Sequence, residues 1–174
     1  MPALTPSQTV GPYFALGLCT RPLADVVPPD SEHAVRLGGR VVDGEGNPMP
    51  DAVVELWQAD EEGNYRGDFG WARCGTDETG SYEFTILKPG RVRGPNGELQ
   101  APHLTLLVFA RGLLKPVLTR VYFPDEERAN EEDDVVAGLE DERERSSLVA
   151  RGSGAGLRFD VYLQGDDQTV FFTV

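Results

Sequence analysis

The stretch Gly80-Ser81-Tyr82-Glu83-Phe84-Thr85-Ile86-Leu87-Lys88-Pro89-Gly90 shows most directly which kind of fold this chain adopts. Within it, Tyr82, Phe84 and Ile86 alternate with more polar residues, so the three apolar side chains share one face of an extended strand. The run stops at Lys88-Pro89-Gly90, which is a turn signal. The stretch therefore predicts a half-buried β-strand.

Similar strand patterns recur on both sides of this stretch. Strands are predicted over residues 35–43, 52–58, 81–87, 103–110, 117–123, 157–164 and 169–174, the last two joined by a turn at Gly165-Asp166-Asp167. Seven short strands separated by turn signals are typical of two packed sheets. The fold class is therefore predicted to be mainly β: an antiparallel β-sandwich with an extended N-terminal arm and a short helical excursion.

Two parts of the chain depart from the strand pattern. Residues 1–32 are rich in proline, which forbids long regular elements, so they are predicted to form an arm that lies against its own body or a neighbouring chain. Residues 33–174 are predicted to form one β-sandwich domain. Its acidic stretch at about 125–150 is predicted to be a solvated surface excursion, with short helices near 126–130 and 140–150.

The composition limits the function classes. The formal net charge of −13, from 29 acidic and 16 basic residues, argues against nucleic acid as a partner because phosphates would be repelled. The sequence shows neither a membrane-spanning apolar run nor a secretory leader pattern, and its cysteines, Cys19 and Cys74, form no disulfide framework. A cytoplasmic protein that contacts no membrane is the expectation.

The common catalytic signatures do not occur in this sequence. It has no glycine-rich phosphate loop, no Cys-x-x-Cys pair and no nucleophile elbow. Its histidines are His33 and His103, so a metal site built from this chain alone would need carboxylates or phenolates for most of its ligands. Phenolate is a hard oxygen donor that suits ferric iron, but composition does not choose among the tyrosines, which are Tyr13, Tyr65, Tyr82, Tyr122 and Tyr162.

Several short motifs along the chain point to one family through their order and spacing. They are Glu55-Leu56-Trp57-Gln58-Ala59-Asp60, Gly63-Asn64-Tyr65, Gly80-Ser81-Tyr82-Glu83-Phe84, Lys88-Pro89-Gly90, Ala101-Pro102-His103 and Leu118-Thr119-Arg120-Val121-Tyr122-Phe123. Together with Thr5–Tyr13 near the start and Thr169–Phe172 near the end, they make the whole chain resemble the intradiol ring-cleavage dioxygenases. The resemblance implies an oxidoreductase of aromatic compound catabolism.

The resemblance also implies where iron ligands belong. Iron-binding members use two tyrosines and a His-x-His pair, whose i and i+2 spacing on a strand brings both rings to one face. Here Val92 stands at the position of the second tyrosine, and the pair reads His103-Leu104-Thr105. Tyr65 matches a turn tyrosine and not the first ligand. No complete catalytic or metal site is therefore expected in this chain, and His103 is expected to be structural.

Such a loss is the pattern of the metal-free, α-type subunits in the branch of the family that cleaves protocatechuate. The resemblance implies a partner β subunit that holds non-haem Fe(III), within a large oligomer of α/β heterodimers. It further implies a catecholic carboxylate substrate, protocatechuate, which O₂ converts to 3-carboxy-cis,cis-muconate.

The resemblance places part of the substrate cavity in this chain. The arm residues Thr9, Gly11, Pro12 and Tyr13 match positions that line the cavity at the α/β boundary. Arg120 matches an arginine near the substrate, and a guanidinium suits a carboxylate through paired hydrogen bonds. An inter-subunit salt bridge is an equally open role for Arg120.

Two other functions remain possible from the sequence. One is a self-sufficient intradiol dioxygenase with a rearranged iron site that uses His103 and Tyr65. The other is a non-catalytic, transthyretin-like sandwich that acts as a binding module, because the Asp-x-x-Gly-x-Tyr-x-Phe strand occurs widely in such modules. The arm motif and the Thr-Arg-Val-Tyr-Phe strand favour the dioxygenase family.

Overall fold

A computed structural model describes residues 4–11, 13–67, 69–153 and 156–173. Its helices are α1 (Phe14–Leu18), α2 (Glu127–Glu131), α3 (Asp134–Ala137) and α4 (Glu142–Ser147). Its strands are β1 (Val35–Val42), β2 (Val53–Gln58), β3 (Trp71–Gly75), β4 (Ser81–Ile86), β5 (His103–Phe109), β6 (Val117–Tyr122), β7 (Arg151–Ser153), β8 (Gly156–Arg158) and β9 (Val161–Tyr162). None of the helices in the described ranges has the length and apolar character of a membrane span.

The strands form two sheets, which confirms the mainly β, two-layer prediction. Sheet I has the order β4-β1-β8-β7, with β9 also paired to β1, and sheet II has the order β3-β2-β5-β6. Sheet II is antiparallel throughout. Sheet I is mixed, because β8 and β9 run parallel to β1 while β4 runs antiparallel to it.

The main core lies between the two sheets and follows the alternation that the sequence shows. Sheet I contributes fully buried side chains such as Leu37 and Phe84, and sheet II contributes Leu56, Leu106 and Val121, all at most 1% exposed. Removing such side chains from water supplies about 25 cal/mol per Å² of apolar surface. The residues between them on sheet II point away from the core, and they form the face considered below.

Three turns between strands share one design. In each, the carboxylate of the first residue, an aspartate, accepts the backbone N–H groups of the third and fifth residues. The fourth residue is a glycine with φ of 81°, 82° and 73° in turn, a conformation that costs glycine no steric strain. The turns begin at Asp43, Asp60 and Asp77. Hydrogen bonding lowers the pKa of the Asp43 and Asp77 carboxyls.

The predicted strand at 157–164 is two shorter strands, β8 and β9. Between them the Asp160 carboxylate accepts the N–H of Arg40 at 2.9 Å, where a backbone carbonyl would act in a continuous ladder. Asp160 also pairs with Arg158. A side chain therefore replaces one rung of the ladder and divides the strand.

The prediction of a strand at 169–174 was wrong. Over its described part, Phe172 makes one isolated bridge to Leu118, and Thr169 folds back so that its hydroxyl accepts the N–H of Tyr162 at 3.0 Å. The apolar side chains at 170–172 pack beside sheet II without joining it as a strand. The prediction also missed β3, a five-residue edge strand, and β7.

The acidic excursion at 125–150 has three helices where two were predicted, and it is not merely a solvated surface. Its apolar residues pack with Ala101 and Tyr122 in a second, smaller cluster. The excursion members of this cluster, all at most 8% exposed, are Ala129, Val136 and Leu148. The backbone of residues 148–150 also hydrogen-bonds Tyr122 on both sides, at 2.8 and 2.9 Å. The excursion is thus fastened to the end of β6.

Candidate functional site

The candidate site lies on the outward face of sheet II, where β5 and β6 run side by side. In their antiparallel register, His103 faces Tyr122 and Thr105 faces Arg120. Alternate residues of a strand point the same way, so these four side chains share one face. The intervening residue Leu104 is buried in the main core on the other side. Arg120 therefore lies directly opposite Thr105, the residue at the second position of the His-x-His pair.

His103 is held as a neutral imidazole. The residue is 1% exposed, and Nδ1 lies 2.8 Å from the Ala101 carbonyl oxygen. Because a carbonyl oxygen only accepts, Nδ1 carries the proton. Burial and the neighbouring Arg120 charge lower the pKa of His103 to about 4. The ring lies 5.8 Å from the Tyr122 ring, centroid to centroid.

Arg120 and Tyr122 are joined to a buried carboxylate from the excursion. An Arg120 terminal nitrogen donates to the Tyr122 hydroxyl at 3.2 Å, and that hydroxyl lies 3.2 Å from Asp133 Oδ1. Asp133 is 0% exposed. Burial raises the pKa of Tyr122, so its hydroxyl stays protonated. The guanidinium thus meets a neutral hydroxyl and, beyond it, a carboxylate.

Tyr65 approaches the same face from the loop after β2. It lies near Thr105 and Arg120, and both of these side chains act on its pKa. Burial raises the pKa of Tyr65, while the Arg120 charge and the nearby Thr105 hydroxyl oppose that rise. The site therefore presents a guanidinium and two hydroxyls, a set that suits an oxyanion.

The other position named for a lost ligand, Val92, lies outside this face. It is 7% exposed, and its backbone carbonyl accepts the N–H of Gln100 at 2.8 Å. Its side chain has no donor atom. Among the described residues, no group of three or more His, Cys, Asp and Glu side chains is arranged to hold a metal ion.

The predicted arm residues make no hydrogen bond with this network in the part of the chain that the structure describes. Thr9 and Tyr13 are exposed, Tyr13 by 76%, and Gly11 has a φ of 79°. Pro12 falls outside the described residues. Within the described ranges, no hydrogen bond or ring contact joins Thr9, Gly11 or Tyr13 to Arg120.

The arm meets the body only further along. Leu23 and Asp25 form isolated bridges with Arg73 and Thr85, and Arg73 also donates to the Leu18 carbonyl. Helix α1 has no buried residue. In the first part of the arm, Leu4, Tyr13 and Leu16 are therefore exposed, whereas Phe14 and Leu18 are half-buried.

Sequence reasoning missed Asp133 and the part played by Tyr122. One signal was available for each. Asp133 precedes a helix and accepts the N–H of Val135, as an N-cap aspartate does. Tyr122 stands two residues after Arg120 on a strand, so the two side chains had to share a face. The burial of Asp133 had no sequence signal, because its neighbours Glu132 and Asp134 are acidic.

The chain is similar to protocatechuate 3,4-dioxygenase alpha chains. It is 41% identical to the one from Burkholderia cepacia, across 98% of this chain and 97% of that protein. Identity to the alpha chain from Pseudomonas putida is 35%, across 97% and 95% of the two chains. The protocatechuate 3,4-dioxygenase beta chain of Burkholderia cepacia is 29% identical, across 75% of this chain and 64% of that protein.

A solved structure and a family model give the same result. The dioxygenase domain of a dioxygenase carbohydrate-binding protein fusion from Streptomyces sp. SirexAA-E matches with a TM-score of 0.66 and 26% identity, covering 92% of this chain and 98% of that one. Residues 23–165 match the family model described as Dioxygenase. The chain therefore belongs to the intradiol dioxygenase family.

Proposed function

We propose that this chain is the α subunit of a protocatechuate 3,4-dioxygenase. The assembled enzyme would use O₂ to open the ring of protocatechuate between its two hydroxylated carbons, giving 3-carboxy-cis,cis-muconate. The observation that carries the proposal is the 41% identity to an alpha chain over 98% of this chain. The residues on the outward face of sheet II support it and suggest what the chain contributes.

The residues at the positions of the lost ligands do not fit a ferric ion. Val92 has no donor atom, and Thr105 replaces an imidazole with a neutral hydroxyl. The Arg120 guanidinium stands directly opposite Thr105, and its positive charge would repel a cation at that place. We therefore assign the non-haem Fe(III), which supplies the ring-opening chemistry when bound, to a partner β subunit. The same charge argues against a self-sufficient site built on His103 and Tyr65.

The arm supports a partner that covers it. Leu4, Tyr13 and Leu16 are 95%, 76% and 73% exposed in this chain, although large apolar side chains gain free energy when they leave water. We propose that a β subunit buries this part of the arm. Thr9, Gly11, Pro12 and Tyr13 would then form one wall of the substrate cavity at the α/β boundary.

Arg120 is the group that we propose for the substrate carboxylate. The chain carries a net charge of −13, so an anionic substrate needs a local positive charge to be held. The Arg120 side chain is half-buried and faces outward beside the Tyr65 and Thr105 hydroxyls. Its remaining N–H groups form a planar fork that matches a carboxylate.

The proposal extends to assembly and location. A large oligomer of α/β heterodimers agrees with the exposed arm, and a cytoplasmic setting agrees with Cys19 and Cys74, which are both free thiols.

Iron content and protocatechuate-dependent oxygen uptake test the proposal. Both are measured for this chain alone and after coexpression with a β chain of the same source. We expect an iron-free, inactive single chain and a complex that contains iron and consumes oxygen. The chain without residues 1–18 serves as a matched control, and it should not form the complex. Stoichiometric iron and full activity in the single chain would overturn the proposal.

A further inference from the structure

The arm joins the sandwich along a short segment, residues 18–26, which we call the arm root. The Leu23 carbonyl accepts the N–H of Arg73 on β3 at 2.7 Å, and the Ala24 carbonyl accepts the N–H of Thr85 on β4 at 3.1 Å. Because β3 and β4 are edge strands of the two sheets, the arm root hydrogen-bonds one edge of each sheet. The place where the arm meets the body is therefore fixed.

Arg73 also holds the first residue of the arm root through its side chain. This side chain points to the outward face of sheet II, because the neighbouring Ala72 is buried in the main core. One terminal nitrogen of Arg73 donates to the Leu18 carbonyl at 3.3 Å. The guanidinium also lies over the Trp71 ring, 4.9 Å from its centroid. A single arginine thus contacts the arm with both its backbone and its side chain.

Glu55 on β2 fixes the direction of that guanidinium. It stands opposite Arg73 in the β2–β3 register, and its Oε1 accepts hydrogen bonds from Nε at 2.8 Å and from the second terminal nitrogen. The Arg73 and Glu55 side chains are only 21% and 13% exposed, although they lie on an outward face. When such a pair loses one member, the other charge is left unpaired and largely out of water. The pair therefore keeps the remaining terminal nitrogen directed at Leu18.

We propose that Arg73 is a positioning residue that, together with Glu55, sets the path along which the free part of the arm leaves the sandwich and so presents it to the β subunit. This inference rests on the proposed function. Among the described residues, the Leu18 carbonyl is the first group along the arm that hydrogen-bonds the body, and Tyr13 and Leu16 before it are exposed. A segment that is already directed toward its partner loses less conformational freedom on binding.

The first test uses the single chain and the Cys19 thiol, next to the Leu18 contact. A Cβ atom at Gly75 would lie 3.2 Å from the Cys19 sulfur, so this thiol packs on β3. In a Cys74→Ala background, the rate of labelling with N-ethylmaleimide reports local opening of the arm root. Arg73→Met should raise this rate at least about threefold, because the charged hydrogen bond at Leu18 is lost. Urea denaturation in parallel distinguishes local opening from global unfolding.

The second test measures the dissociation constant of the α/β pair by analytical ultracentrifugation. Arg73→Met should raise it roughly tenfold, as the loss of a charged hydrogen bond implies. Because the arginine acts through the arm, its effect should shrink in the Leu16→Ala background, where the arm contributes less to assembly. Glu55→Gln should raise the dissociation constant less than Arg73→Met does and add nothing to it in the double variant.

Arg36→Met is the matched control. Arg36 also pairs with a glutamate of the neighbouring strand, Glu83, at 2.7 Å, but this pair lies on sheet I and its side chains are 61% and 59% exposed. In the described part of the chain, the Arg36 side chain hydrogen-bonds no residue of the arm. Its replacement should change neither the labelling of Cys19 nor the dissociation constant.

Unchanged labelling of Cys19 in Arg73→Met would overturn the inference. So would effects of Arg73→Met and Leu16→Ala that multiply in the double variant, or an equal change in the Arg36→Met control. The labelling test needs neither a β subunit nor protocatechuate. Its failure is therefore distinct from a failure of the proposed function, in which the wild-type chain would form no iron-containing complex.

Discussion

The N-terminal arm and the helical excursion both leave the β-sandwich, yet they end in opposite environments. The arm exposes Leu16 by 73%, and no residue of its helix is fully buried, whereas the excursion buries Leu148 completely. Composition alone suggests the reverse, because the excursion is the more acidic of the two. A few buried apolar residues and one carboxylate with hydrogen-bond donors on both oxygens are enough to hold a charged segment against the sandwich. An apolar segment without a complementary surface on its own chain remains available for a partner.

Of the changes that test this contrast, removal of the buried Asp133 carboxylate should lower the free energy of unfolding most. Asp133→Ala leaves the N–H of Ala101 and the Tyr122 hydroxyl without an acceptor and removes the N-cap of α3. We expect the free energy of unfolding to fall by about 4 kcal/mol. Urea denaturation followed by circular dichroism measures it. Asp30→Ala, at an exposed position in the arm, should change it by less than about 0.5 kcal/mol. Equal stabilities of the two variants would contradict the contrast.

The next effect is a dependence of stability on pH. The pKa of His103 is about 4 in the folded chain and 6.5 when unperturbed, so between these values the unfolded state binds more protons. Stability is therefore lost as pH falls from 6.5 to 4, by roughly 3 kcal/mol. Arg120 opposes protonation of the His103 ring and Asp133 favours it, and because the pKa is lowered, burial and Arg120 outweigh Asp133.

The pH effect is measured as the difference between the unfolding profiles of wild type and His103→Asn, which cannot titrate. The variant should lose roughly 3 kcal/mol less over this window. His33→Asn is the control, because the His33 side chain, just after the arm, is 75% exposed. Its profile should follow that of wild type. Parallel profiles for wild type and His103→Asn would show that His103 is not held neutral by its surroundings.

A smaller difference in stability is expected between variants of one leucine from each region. Leu148→Ala should cost about 2–3 kcal/mol, at the low end for a buried leucine, because the second cluster lies at the edge of the domain and can collapse into the space. Leu16→Ala should cost under about 0.5 kcal/mol in the single chain and weaken its assembly with the β subunit. Urea denaturation measures the stability of the single chain, and analytical ultracentrifugation measures its assembly with the β subunit. A large loss of stability in Leu16→Ala would mean that the arm packs on its own body.

Much of the fold could be predicted from alternation alone. The strand from Ser81 and those at β1, β2, β5 and β6 are confirmed, because each buries one side in the core between the sheets. The structure of the last strands, from residue 157 onward, could not be predicted. Alternation at 157–164 does not show that the Asp160 side chain divides the strand, and the apolar residues near Phe172 pack beside the sheet instead of extending it.

The candidate site could be predicted only in part. Arg120 came from the resemblance, and its shared face with Tyr122 follows from strand spacing. The pairing of Thr105 with Arg120 requires the β5–β6 register, which a sequence does not give. The role of Asp133 depends on a contact between residues that are distant along the chain, and nothing in its acidic neighbourhood marks it as buried.

The most direct measurement compares two substrates in the assembled enzyme with and without Arg120→Ala. Protocatechuate carries the carboxylate that Arg120 is proposed to bind, and catechol lacks it. We predict that the ratio of kcat/KM for protocatechuate to that for catechol falls at least about tenfold in the variant, as loss of a charged hydrogen-bonded pair implies, while iron content stays the same. An unchanged ratio would contradict the claim that this chain supplies the carboxylate-binding group.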